Sequence, residues 1–160
     1  MEATLNKTST LSQIPIQTKW IAILIGFTFM RAFMGIQLPS LQMYGGANPD
    51  AWFAPWMSDT ILGLIAPLMI YLAIKKTGMK TWGILVAYNA IGAFDYAHGL
   101  LAQWTDPLVP NGIMGTPALT YGSIGFSLLV QLTVLYILFK PSVQHVRHLL
   151  FYKTVNSSNS

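Results

Sequence analysis

The chain contains no cysteine and very little charge, and each shortage excludes whole classes of function. Without a thiol there is no disulfide framework, no thiol redox chemistry, no thiolate metal site and no palmitoylation. Only 9% of the 160 residues are charged and 53% are apolar, whereas roughly a quarter of an ordinary soluble domain is charged. That balance fits a chain that crosses a membrane several times. The formal charge of +4 does not point to nucleic acid: basic residues stand singly or in pairs at the ends of apolar runs and form no aromatic-interleaved patch. Lysine is missing from the apolar runs themselves, so a retinal-type Schiff base has no anchor, and a second intramembrane histidine that would complete haem ligation is missing too.

What is present is an all-α pattern of four membrane-length runs. With a rise of about 1.5 Å per residue, a helix needs roughly 20 residues to cross a 30 Å core. The runs lie at about 20–38, 53–74, 81–103 and 118–139. The first could pass for a signal peptide, but it carries Arg31 in its middle and lacks a small-x-small cleavage site. Pro39 is expected to stop it, followed by a loop rich in Pro and Gly. Trp52, Phe53 and Trp56 suit an interfacial belt, and Pro67 predicts a kink near Gly63. A short basic turn at 75–80 leads into the third run, and a second Pro/Gly-rich loop precedes the fourth. Residues 1–18 read as a polar tail. In 141–160 the spacing of Val143, Val146, Leu149 and Leu150 predicts a short interfacial helix before a disordered end.

Charge sets the expected topology. Lys7, Lys19, Lys75, Lys76, Lys80, Lys140, Arg147 and Lys153 fall on one side of a four-span arrangement, Asp50 and Asp106 on the other. By the positive-inside rule, both termini are expected on the cytoplasmic side of a cell (inner or plasma) membrane. The expected partners are the lipid bilayer and, because four spans enclose a narrow interior, a second copy of the chain or another membrane subunit.

The third run is organised as a stripe. At 100° per residue, Tyr88, Asn89, Gly92, Asp95, Tyr96, Gly99 and Gln103 share one sector, and the opposite side is apolar. Such a stripe must face protein or a wet cavity. Counting from the lysines, Arg31 lies about 18 Å deep, Asp95 about 22 Å, Asp59 about 24 Å and His98 about 27 Å, all in the half of the bilayer away from the lysines. Three readings of this layer stay open. Arg31 and Asp95 form a buried pair that locks helix packing. Alternatively Arg31, Asp59, Asn89, Asp95, Tyr96 and His98 form a site for a small solute or proton. Asp59, Asp95 and His98 could instead hold a divalent metal, which Arg31 would oppose. Ser127 and Gln131 on the fourth run form a secondary polar face. Tyr121-Gly122-Ser123-Ile124-Gly125 lacks the glycine spacing of a serine nucleophile motif, so no catalytic residue, and no cofactor, is assigned.

Two longer patterns complete the reading. Residues 31–35 align with 95–99, and 55–63 with 117–125, as a two-plus-two repeat would require; Arg31 and Asp95 would then be equivalent positions facing each other across its axis. The segments R-A-F-M-G-I-Q-L-P (31–39), P-D-A-W-F-A-P-W-M-S-D-T-I-L-G-L-I-A-P (49–67) and N-A-I-G-A-F-D (89–95) resemble uncharacterised bacterial four-span membrane proteins. The resemblance departs at Trp56-Met57-Ser58, where small residues usually precede the aspartate. It implies Asp59, Asn89 and Asp95 as positions of interest and supplies no reaction.

Overall fold

The computed structural model describes residues 15–110, 112, 115–141 and 143, so most of the expected terminal tail and interfacial helix lie outside the described residues. The described residues are all-α. A first rod runs through α1 (Ile16–Thr28), a 3₁₀ turn (Phe29–Ala32), α2 (Phe33–Gln37), a second 3₁₀ turn (Leu38–Ser40) and α3 (Leu41–Tyr44). Three uninterrupted helices follow: α4 (Asp50–Lys75), α5 (Met79–Thr105) and α6 (Pro117–Phe139). The first rod, α4 and α6 are long and apolar enough to cross a membrane. α5 has the length, 27 residues, but not the apolarity. It contributes the largest set of buried residues, among them Asn89, Asp95 and Gln103, and that polar stripe lowers its mean hydropathy.

Pro39 does not stop the first rod. It opens the second 3₁₀ turn, where a missing N–H and a fixed φ are tolerated, and the chain stays helical to Tyr44. The reversal is therefore shorter than the expected loop, confined to residues 45–49 with Gly46 at φ +78°. Pro67 likewise leaves α4 unbroken from Asp50 to Lys75. Gly78, at φ +100°, turns the chain into α5, and Thr116 caps α6 by accepting from the Leu119 N–H at 3.3 Å.

The helices pack up and down in a ring: the first rod against α4, α4 against α5, α5 against α6, and α6 back against α1. The rod and α5 thus occupy opposite corners, and they carry Arg31 and Asp95. The 3₁₀ turn that interrupts the rod at Arg31 has no counterpart in the unbroken α5. Two apolar clusters fill the ends. One, at the lysine-bearing end, contains Ile21, Ile25, Leu62, Ala66, Met69, Leu85, Val134 and Leu138. The other contains Leu41, Trp52, Trp56, Ala102 and Leu108. Tryptophan N–H groups tie each end, Trp82 to the Leu138 carbonyl at 2.9 Å and Trp52 to the Asp106 carbonyl at 2.7 Å.

Close approach of the rod to α4 depends on Gly63. A Cβ there would collide with the Ala32 backbone nitrogen and stand 2.9 Å from the Arg31 carbonyl carbon. Gly63→Ala is expected to lower stability in detergent by about 1–3 kcal/mol, the usual cost of overpacking. Gly83→Ala, on α5 with nothing within 4 Å of the added carbon, should be neutral or gain about 0.5–1 kcal/mol from helix propensity. Thermal unfolding of the two variants side by side checks this; equal melting temperatures would show that the Gly63 contact is dispensable.

Candidate functional site

Between the two apolar clusters lies a polar layer built around Arg31. Its guanidinium sits on the 3₁₀ turn of the first rod, 4% exposed. Nε donates to Asp59 Oδ1 of α4 at 2.5 Å, and Nη2 donates to Asp95 Oδ2 of α5. The guanidinium carbon stands 4.2 Å from the centroid of the Tyr96 ring, a cation–π distance. Asp95 Oδ1 accepts from the hydroxyl of Ser58, which neighbours Asp59 on α4. The planar fork of arginine makes this possible: one guanidinium presents separate N–H groups to two carboxylates, which a lysine ammonium matches poorly.

Why α4 serves both partners follows from helix geometry. Ser58 and Asp59 are consecutive and so point about 100° apart, Asp59 toward the first rod and Ser58 toward α5. Asp59 lies one turn before Gly63, where the rod comes closest, so the glycine contact brings the Asp59 carboxylate within reach of Arg31. On α5, Gly92 lies one turn before Asp95. A Cβ there would stand 2.9 Å from Arg31 Nη1 and 2.8 Å from Gln131 Nε2, so this glycine leaves room for the tips of both side chains.

Some polar atoms of the layer lack partners. Arg31 Nη1, Asn89 Oδ1 and both amide atoms of Gln131 are buried without a hydrogen bond, although Asn89 Nδ2 donates to the Leu85 carbonyl at 2.7 Å. Gln131 Nε2 and Arg31 Nη1, both donors, crowd the same glycine, Gly92; turning the amide end for end would bring the acceptor Oε1 there instead. Just below, toward the lysine end, the Tyr88 hydroxyl donates to the Leu62 carbonyl at 3.0 Å and lies 3.0 Å from Thr28 Oγ1. Below that belt lies the apolar cluster of Ile21, Leu85, Val134 and Leu138.

Among the described residues, two cavities reach the layer. The larger, about 170 Å³, is lined by Phe27, Met30, Arg31 and Met34 of the rod, Asp59, Tyr96, and Ser123, Ile124 and Ser127 of α6. It opens sideways: the main contact of the first rod with α6 is confined to α1, where Phe27 and Phe126 meet edge to face at 5.4 Å, and beyond them the two helices part. The smaller, about 40 Å³, lies under the Trp52/Trp56 cluster and also touches Asp59, Asp95 and Tyr96.

Of the residues singled out in the sequence, Arg31, Asp59, Asp95 and Tyr96 are brought into direct contact, with Gln131 beside Arg31 Nη1 at Gly92 and Ser127 in the wall of the larger cavity, while Asn89 is buried and bonded to the Leu85 carbonyl of its own helix. His98 is not brought in. It shares depth with Asp95 but lies on the exposed side of α5 with Phe94 and Leu101, because three residues of helix rotate it off the stripe. Among the described residues no group of three acidic, His or Cys side chains is placed to hold a metal ion, and the set Asp59, Asp95 and His98 does not assemble. Sequence reasoning missed Ser58 as the second partner of Asp95; its position one residue before Asp59 was the available signal. It also missed Phe27, Met30 and Met34 as cavity walls, since apolar residues in an apolar helix carry no mark.

No family model, no curated protein and no solved structure matches the chain, so no family is identified.

Arg31→Met strands two carboxylates in the interior and is expected to cost about 3–5 kcal/mol. Arg31→Lys should recover only part of that, while adding Asp59→Asn and Asp95→Asn to Arg31→Met should recover most. Unfolding temperatures in detergent decide it; a triple variant no better than Arg31→Met would show that uncompensated charge is not the source of the loss.

Proposed function

We propose that the chain is a four-span membrane protein, α5 included, with its lysine end on the cytoplasmic side, and that the Arg31–Asp59–Asp95 cluster binds a small solute or proton as part of a transport or carrier function. The observation that carries this reading is the second carboxylate: Arg31 is bonded to both Asp59 and Asp95, and Asp59 also lines both cavities. A pair that serves packing needs one acid for one base and no cavity. With two ionised acids the layer holds one negative charge more than Arg31 balances, and an uncompensated charge between apolar clusters is costly. A proton or another small cation supplies the balance.

Four spans are supported by the ring itself. α5 is held between α4 and α6 and is antiparallel to both, so it crosses wherever they cross, and its polar stripe faces the ring rather than lipid. The orientation rests on Lys19, Lys75, Lys76, Lys80 and Lys140, all at one end of the ring. At that end the site is closed by the Ile21/Leu62/Leu85/Val134 cluster, the form expected of a carrier occluded on one side.

The rival reading, a lock for helix packing in a structural or assembly subunit, draws on the same guanidinium joining three helices. The two separate at Asp59. Replacing it with Asn leaves Arg31 and Asp95 matched one to one, so Asp59→Asn should keep or raise the wild-type unfolding temperature, a trade of stability against function. In lipid vesicles with an internal pH indicator and a potassium diffusion potential, the wild type should move protons faster than protein-free vesicles and Asp59→Asn should not. Destabilisation by Asp59→Asn as large as that of Arg31→Met, with wild-type flux at the level of empty vesicles, would leave packing as the role of the cluster.

A further inference from the structure

The two aspartates of the layer are not equally committed. Both oxygens of Asp95 accept hydrogen bonds, from Arg31 and from Ser58. Asp59 accepts from Arg31 through Oδ1, and its carboxyl group lies within hydrogen-bonding reach of the Asp95 carboxyl when one of the two holds a proton. Its side chain is 18% exposed, against 9% for Asp95 and 3% for Arg31. Arg31 and Asp59 both line the larger cavity, and Asp59 is the more exposed of the two. The guanidinium nitrogen left over, Nη1, lies against Gly92 and Gln131 in the bundle interior.

The rest of the cavity is apolar or weakly polar. Phe27, Met30, Met34 and Ile124 supply hydrocarbon, thioether and ring surface; Ser123 and Ser127 supply hydroxyls. At its mouth Phe27 and Met30 are 47% and 69% exposed, so a molecule entering between the first rod and α6 meets apolar surface before charge. An anion would reach Asp59 before an arginine whose Nε and Nη2 are already held by two acids and whose Nη1 is turned into the bundle. A cation with an apolar body meets both parts of the cavity in the order it needs.

We propose that the larger cavity takes a small lipophilic monovalent cation, an ammonium on an apolar body, docked on Asp59 through the lateral opening between the first rod and α6. This rests on the reading of the cluster as a binding site. Binding is an exchange: the layer gives one proton to water as the ammonium arrives, so it carries no net charge before or after. Thioether and aromatic walls suit such a ligand, since polarizable sulfur and ring faces accommodate a quaternary ammonium.

The test uses the full-length protein in lipid nanodiscs and three ligands of one shape: benzyltrimethylammonium, its neutral carbon isostere neopentylbenzene, and the anion phenylmethanesulfonate. Benzyltrimethylammonium should bind by calorimetry, raise the unfolding temperature and release about one proton per ligand bound in weak buffer. Asp59→Asn should weaken it by about tenfold or more and remove the proton release. Ser127→Leu, which narrows the cavity and leaves the charges in place, should also block it, so the result does not depend on one variant. Equal binding of the neutral isostere would reduce the cavity to an apolar hole, and tighter binding of the anion would make Arg31 the recognition group; either overturns the proposal. No binding of any ligand to folded wild type, with the proton movement of the wild type intact, overturns the ligand class and spares the site.

Discussion

Burying a guanidinium between two layers of hydrocarbon and aromatic side chains is the constraint from which the rest of this bundle follows. The ion cannot be neutralised by losing its proton, so its partners must be brought to it by other helices. Asp59 comes from α4, Asp95 and the Tyr96 ring from α5. Gln131 of α6 stands beside the remaining nitrogen. A single side chain on the first rod thereby sets where the other three helices sit at its level, and the glycines at 63 and 92 are the backbone's accommodation to it. Large residues at either place would push helix backbone or polar tips out of reach.

The 3₁₀ turn at Phe29–Ala32 belongs to the same constraint. A tighter turn in the middle of a long helix often marks a functional or strained position, and here it coincides with Arg31 and with the contact to Gly63. Above the turn the rod follows α4; below it α1 also touches α6. The change of neighbours at one turn is what leaves the lateral cavity. Packing, the position of the charge and the access to it thus share one local feature.

Much of this was legible in the sequence, and the reasons differ by residue. Arg31, Asp59 and Asp95 could be placed at one depth because helix rise is constant and lysines mark the ends. That Arg31 meets Asp95 followed from the cost of leaving either alone. His98 misled because depth was counted without angle, although the same wheel that gathered Asn89, Asp95 and Gln103 rotates His98 away. The rod's continuation past Pro39 could not be read, because a proline that opens a new turn looks in sequence like one that ends an old turn. Nor could the 3₁₀ turn, since Phe29–Ala32 contains no residue that forbids an ordinary helix. α5 shows the opposite failing: judged by hydropathy alone it falls short of a span, for the reason that makes it informative, its polar face being turned into the protein.

The unpartnered atoms bear on which reading of the layer is the stronger. A cluster selected for stability would be expected to satisfy its own polar groups, because each buried and unpaired one costs about 1–3 kcal/mol. Here Asn89 Oδ1 is buried without a hydrogen bond, whereas turning the Gln131 amide would let its Oε1 and Arg31 Nη1 satisfy each other. A shorter route to a stable bundle would replace Asn89 and Gln131 with leucine and drop Asp59. Retaining a surplus carboxylate and a surplus of hydrogen-bonding capacity beside it, walled above and below by apolar side chains, sacrifices stability at one level of the bundle only. Under the proposed binding reading, that concentration belongs to a layer whose occupancy and protonation change.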